Sequence, residues 1–74
     1  MDSQANMILE HLQSGRDITA LDALQMYGCF RLAARIADLR GRGIPIYTYI
    51  DEVPTAHGTT ARIARYSLKQ EITT

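Results

Sequence analysis

The sequence predicts an α+β fold in which three short helices precede a two-stranded antiparallel hairpin. Up to about residue 41, apolar residues recur at the three-to-four-residue spacing of amphipathic helices. A glycine follows each of the three helical stretches, at positions 15, 28 and 43. After position 43, β-branched and aromatic residues alternate, which is typical of strands. We take the 74 residues as one domain, 1–74.

The first helix is predicted over about residues 3–14, with a cap at Ser3 and a stop at Gly15. Its inward residues are Ile8, Leu9 and Leu12. The second helix is predicted over about 19–27. It opens on Thr19-Ala20-Leu21-Asp22, a capping box with Asp in place of Glu. This helix carries Leu21, Ala23 and Leu24, and it stops at Gly28.

The third helix, predicted over about residues 30–41, has an apolar stripe on one side and arginines on another. The stripe is formed by Leu32, Ile36 and Leu39. The spacing i, i+4, i+7, i+11 places a charged set on a different face, namely Arg31, Arg35, Asp38 and Arg42. The second and third helices, joined by a tight turn, predict a helix-turn-helix.

The strands are predicted over about residues 44–50 and 61–68, with a mobile loop at 51–60 between them. A two-stranded hairpin is marginal on its own, so we expect it to pack against the helices. The residues expected to face inward are Ile46, Tyr66 and Leu68, and those expected to face outward are Tyr47 and Tyr49. Three helices followed by such a hairpin form a winged helix-turn-helix.

The charges are unevenly distributed although the net charge is zero. Residues 1–28 carry a balance of minus three, residues 29–43 carry plus three, and residues 61–70 add three basic side chains without an acid. Seven of the eight basic residues are arginine, whose planar fork matches phosphate oxygens and guanine edges. Two concentrated cationic segments predict an anionic partner such as double-stranded DNA. The alternative is a solvated surface on which these arginines pair with neighbouring acids.

Several function classes are disfavoured by the composition. A domain of this size buries only about 60% of the surface of its unfolded chain, which leaves little room for an enclosed catalytic pocket. The single cysteine, Cys29, excludes an internal disulfide, and His11 and His57 lack zinc-ligand spacing. We therefore expect no enzyme activity, no metal and no cofactor. The first twelve residues predict neither a signal peptide nor a membrane span, so a reducing cytoplasm is expected.

The pattern resembles a family of small helix-turn-helix proteins encoded by bacteriophages and prophages. The residues that carry the resemblance are Ile8-Leu9, Leu12, Gly15, Ile18-Thr19, Ala23-Leu24, Gly28, Arg31-Leu32-Ala33, Arg35-Ile36, Leu39-Arg40, Gly43 and Ile46. They span residues 7 to about 50, and the segment through Tyr66 and Leu68 is similar too. The resemblance implies a winged-helix fold, DNA binding and a bacterial host cytoplasm. The stretch from Gly28 to Leu32 is shorter than in typical helix-turn-helix repressors.

The candidate DNA contacts follow from groove geometry. The major groove admits one α-helix, and helix-turn-helix proteins insert the start of their second helix. The candidates on the third helix are Arg31, Ala34, Arg35, Asp38 and Arg42, those on the hairpin are Arg62 and Arg65, and the helix start at Thr19 can offer N–H groups to phosphate. Asp38 can pair within the helix with Arg35 or Arg42, or accept a hydrogen bond from cytosine. Arg40 is expected to be structural and to pair with Asp17 or Asp22.

Three functions fit these observations. The first is a transcriptional regulator that binds specific DNA sequences, acting alone or as a homodimer. The second is an architectural DNA protein of the excisionase type, which bends DNA. The third is a winged helix that binds a host or phage protein through its arginines. The sequence leaves the target DNA site and the oligomeric state open.

Overall fold

The computed structural model describes residues 3–70, which form three helices and a three-stranded antiparallel sheet. The elements in chain order are α1 (Ser3–Gln13), β1 (Ile18–Thr19), α2 (Ala20–Tyr27), α3 (Leu32–Gly41), β2 (Tyr47–Pro54) and β3 (Thr60–Ser67). The predicted α+β class of three helices and a hairpin is confirmed, whereas β1 was not predicted. This strand pairs Ile18 with Tyr66, and its two residues are too few to show an alternating pattern. No helix within 3–70 is long and apolar enough to cross a membrane.

The helix ends follow the predicted capping chemistry with one exception. Gly15 has φ +91° and its N–H donates to the carbonyl of Leu12, so the stop of α1 is confirmed. The predicted cap at Ser3 concerns a side chain outside the described part of the chain. The exception is α3, which begins two residues later than expected because Arg31 has the non-helical angles φ −125° and ψ 60°. Arg31 is therefore the N-cap residue of α3.

The core lies between the three helices and the base of the sheet. Its buried apolar residues are Ala5, Ile8, Leu12, Ile18, Ala23, Cys29, Leu32, Ile36, Leu39 and Ile46. Leu9, Tyr66 and Leu68 pack against this core and are partly buried. On α2, however, only Ala23 is buried, and Leu21 is 61% exposed. The eight residues of α2 thus touch the core through one narrow side.

The first hairpin strand begins at Tyr47 rather than at residue 44, ends later than predicted, and leaves a shorter loop. β2 continues through Asp51 to Pro54, which pairs with Thr60, so the connecting loop is 55–59 rather than 51–60. A backbone hydrogen bond from Thr55 N to Thr59 O, 2.8 Å long, closes the loop. The sheet order β1-β3-β2 makes β2 an edge strand, where a proline is tolerated. The predicted mobility of the loop stays a prediction.

The side-chain alternation of β2 also differs in part from the prediction. Tyr47 is exposed as expected, but Tyr49 is partly buried. Tyr49 pairs in register with Arg65, and its hydroxyl donates to the carbonyl of Lys69 at 2.8 Å. Ile46, which precedes β2, is buried as expected, whereas Ile50 within the strand is 51% exposed.

Candidate nucleic-acid interface

The turn between α2 and α3 is set by Gly28. This residue has the left-handed angles φ 64° and ψ 25°, and its N–H donates to the carbonyl of Leu24 at 3.0 Å. The next N–H, from Cys29, donates to the carbonyl of Ala23 at 3.1 Å. These two bonds end α2 in a compact turn. The turn buries Cys29 in the core and leaves Phe30 85% exposed immediately before α3.

Arg31 stands at the surface at the start of α3. Its carbonyl accepts hydrogen bonds from the N–H groups of Ala34 and Arg35, at 3.1 and 3.3 Å, which fixes its backbone to the first turn. Its side chain caps nothing and is exposed. Within residues 3–70, no carboxylate pairs with its guanidinium. Its charge is therefore available to a partner molecule.

An open cleft of about 410 Å³ lies between the start of α3 and the hairpin. One wall carries Phe30, Arg31 and Ala33, and the opposite wall, on β3, carries Arg62 and Ile63. Arg62 is exposed, and it has no ion-pair partner in the part of the chain that the structure describes. The fold thus brings two predicted site residues, Arg31 and Arg62, to one cleft although 31 positions separate them in the sequence.

Arg35 and Asp38 form an ion pair on α3, with 3.1 Å between Nη1 and Oδ2. The intrahelical pairing expected for Asp38 is thereby confirmed, with Arg35 as its partner. Surface pairs of this kind contribute roughly 0–1 kcal/mol, so a phosphate could replace the carboxylate at little cost. Ala34, on the same helix, is partly buried.

Arg42 follows the last residue of α3, and its guanidinium lies 3.5 Å from the side-chain oxygen of Asn6 on α1. Arg31 and Arg42 therefore lie beyond the two ends of α3, at its N-cap and C-cap. The prediction that Arg31, Arg35, Asp38 and Arg42 share one helical face stays a prediction, and only Arg35 and Asp38 lie within the helix itself. The helix is shorter than the spacing argument required.

Arg65 differs from Arg62 although both lie on β3. Its side chain is only 20% exposed and donates to the carboxylates of Asp17 and Asp51, the latter at 2.9 Å from Nε. It also lies over the ring of Tyr49, 4.9 Å from the centroid. These contacts hold Arg65 within the fold, and its assignment as a DNA contact stays a prediction.

Thr19 is also occupied within the protein. Its hydroxyl accepts from the N–H of Asp22 at 3.2 Å, and its own N–H donates to the Asp22 carboxylate at 3.1 Å. The predicted capping box is confirmed. The box uses the N–H groups of Thr19 and Asp22 but not those of Ala20 and Leu21, and the expected phosphate contact at this helix start stays a prediction.

Arg40 has a structural role, as expected, but with different partners. Its Nε and Nη2 both donate to the carbonyl of Ile46, at 3.1 and 2.8 Å, and Nη2 donates to Thr48 Oγ1 at 2.7 Å. The predicted pairing with Asp17 or Asp22 is wrong, because Asp17 pairs with Arg65 and Asp22 accepts from Thr19 in the capping box. Arg40 thus connects α3 to the start of the hairpin.

The comparisons with known proteins agree with this architecture. A family model described as a winged helix-turn-helix domain matches residues 3–71. The comparison with curated proteins found no match. The matched range includes the helices, the hairpin and the cleft between them. Such a domain suggests DNA as the partner. Within 3–70, no three His, Cys, Asp or Glu side chains are grouped so that they could hold a metal ion.

Proposed function

Because the chain belongs to the winged helix-turn-helix family, we propose that it is a sequence-specific DNA-binding protein that regulates transcription. In this proposal the start of α3 enters the major groove and the hairpin lies along the flanking backbone. The resemblance of residues 7–50 to helix-turn-helix proteins of phages and prophages favours a phage or prophage regulator. DNA contact also accounts for the concentration of arginine in two segments of a chain without net charge.

The observation that carries the proposal is the pair Arg31 and Arg62 on opposite walls of one cleft. Neither guanidinium is paired with a carboxylate among the described residues, so DNA does not have to displace an internal partner. Arginine can donate two hydrogen bonds to guanine O6 and N7, or bind a phosphate through two nitrogens. We assign Arg31 to a phosphate at the edge of the groove that α3 enters and Arg62 to the backbone on the other side of the cleft.

The remaining contacts are assigned along α3. Arg35 lies one turn after Arg31 and would exchange its pairing with Asp38 for a base edge or a phosphate. Ala34 has a short side chain that permits close approach of the helix. Arg42, at the far end of α3, is placed to reach the flanking backbone. Asp38 then orients Arg35 rather than contacting DNA itself.

A fluorescence titration with duplex DNA at several salt concentrations tests the proposal. If four arginines each neutralise one phosphate, a plot of log K against log salt should have a slope of about −3.6. Arg31→Ala and Arg62→Ala should each reduce the magnitude of that slope by about 0.9. The matched control is Arg16→Ala, which removes an exposed arginine between α1 and β1 and should leave the slope unchanged. Absence of DNA binding at low salt would refute the proposal and favour a protein-binding module.

The same DNA complexes separate a regulator from an excisionase-type architectural protein. A palindromic footprint with little bending supports a regulator that acts as a homodimer. Strong bending with cooperative binding to tandem direct sites supports the architectural role instead. Electrophoretic mobility of circularly permuted fragments measures the bend.

A further inference from the structure

Phe30 is the most exposed of the large apolar side chains that the structure describes as exposed, at 85%, compared with 61% for Leu21. Its backbone is fixed by the residues before and after it in the sequence. Cys29 before it is buried in the core, and Arg31 after it forms the N-cap of α3. The backbone therefore presents an aromatic ring to solvent at the point where the proposed recognition helix begins.

The surroundings of Phe30 combine apolar and cationic groups. It lines the cleft together with Ala33 and Ile63, and the same cleft holds Arg31 and Arg62. Ile63 is itself 37% exposed. A cleft that combines apolar side chains with two arginines that pair with no carboxylate among the described residues matches a partner that carries both anionic and apolar groups. DNA fits this description in the major groove, where phosphates flank the base edges and thymine presents its C5-methyl group.

We propose that Phe30 contacts thymine methyl groups in the major groove and so contributes to sequence specificity. This inference rests on the proposed DNA-binding function and adds a residue that the arginine pattern does not include. A phenyl ring forms no conventional hydrogen bond with a base edge, so it distinguishes bases through apolar contact, for which thymine is the preferred base. The position fits, because helix-turn-helix proteins contact base edges with the N-terminal part of the recognition helix.

The experiment removes the thymine methyl group and the Phe30 ring in separate steps. A random duplex library of about 20 base pairs, two helical turns, is first selected for binding to the wild-type protein. In the selected duplex, each thymine is then replaced singly by deoxyuridine, which lacks only the methyl group. At one or more positions the wild-type affinity should fall about fourfold, the effect of losing one buried methyl.

The Phe30→Ala protein should bind the thymine duplex less tightly, and the same deoxyuridine replacements should cause no further loss. Met26→Ala serves as the matched control, because Met26 is a 50%-exposed apolar residue that does not line the cleft. This variant should keep the wild-type response. Both variants change exposed side chains, and their urea midpoints should equal that of the wild type, which verifies folding.

The outcomes are distinguishable. If the wild-type protein selects no DNA, both the DNA-binding function and this inference are wrong. If it selects DNA and Phe30→Ala keeps the wild-type sensitivity to deoxyuridine, the inference is wrong and DNA binding stands. The inference is also wrong if Phe30→Ala binds DNA normally but loses self-association in sedimentation, because the ring would then serve a contact between protein copies.

Discussion

Arg65 donates to the carboxylate of Asp17, and this ion pair joins the hairpin to the segment that precedes α2. The two residues are 48 positions apart in the sequence. Arg65 itself pairs in register with Thr19 on β1, two residues after Asp17. The guanidinium also meets Asp51 on β2, so a single side chain connects all three strands of the sheet or their flanks. The orientation of the hairpin relative to the helices therefore depends on an arginine that the charge pattern assigned to DNA.

Replacing Arg65 by alanine should lower the free energy of unfolding by about 1–3 kcal/mol. The reason is that Asp17 and Asp51 would lose a charged hydrogen-bond donor in a partly buried position. A urea titration followed by circular dichroism measures the change as a lower midpoint.

Arg62→Ala is the matched control for this substitution, since it removes an exposed arginine from the same strand. Its free energy of unfolding should stay within about 0.5 kcal/mol of the wild-type value, while its DNA affinity falls. Equal urea midpoints for Arg65→Ala and the wild type would show that the ion pairs do not stabilise the fold.

The stability of the fold should decrease in acid partly through Asp17. A side-chain hydrogen bond with Ser67, together with the charges of Arg65 and Lys69, holds the pKa of Asp17 below its ordinary value of 3.8. Because the folded-state pKa is the lower one, this stabilisation is complete above 3.8 and is lost as the pH falls below it towards the folded-state pKa.

Asp17→Asn tests this linkage. The variant should be less stable than the wild type at neutral pH, and the difference between their free energies of unfolding should shrink as the pH falls below 3.8. Urea titrations across this range give both values. A difference that is constant with pH would show that the charge of Asp17 makes no contribution.

Arg40→Ala should reduce stability more than DNA binding. The substitution removes both donors from the carbonyl of Ile46 and the donor to Thr48, a loss of roughly 1–2 kcal/mol. The salt dependence of DNA affinity should remain at the wild-type slope, in contrast to Arg31→Ala. The reverse order, with Arg40→Ala giving the larger change in slope, would place the DNA-binding surface on the other side of α3.

Local chemistry explains what could be predicted from the sequence. The Thr19–Asp22 capping box and the stop at Gly28 depend on residues three or four positions apart, and both are present as expected. The polar composition of the segment from Asp51 to Pro54 predicts a loop. In the structure, pairing with β3 makes it a strand, a long-range effect that overrides local preference.

Long-range pairing also limits what the sequence predicts about the two hairpin arginines of the candidate site. Arg62 and Arg65 are equivalent in charge, and strand alternation only says that they lie on opposite faces of the sheet. Which arginine meets carboxylates depends on the pairing of β3 with both β1 and β2, and β1 is too short to be predicted. The side of the hairpin that remains available to a partner therefore follows only from the fold.

The left-handed conformation of Gly28 should be required for the turn that positions α3. A Cβ built at this residue meets no atom within 4 Å, so Gly28→Ala tests the backbone conformation without a steric clash. At φ 64° an L-residue other than glycine costs about 1–2 kcal/mol, and this loss should appear in urea titrations. Gly28→Asn should lose less, because asparagine tolerates this conformation better than alanine. Equal losses for the two variants would indicate that the turn relaxes out of the left-handed region. Because Arg31 follows the turn directly, DNA affinity would then fall together with stability.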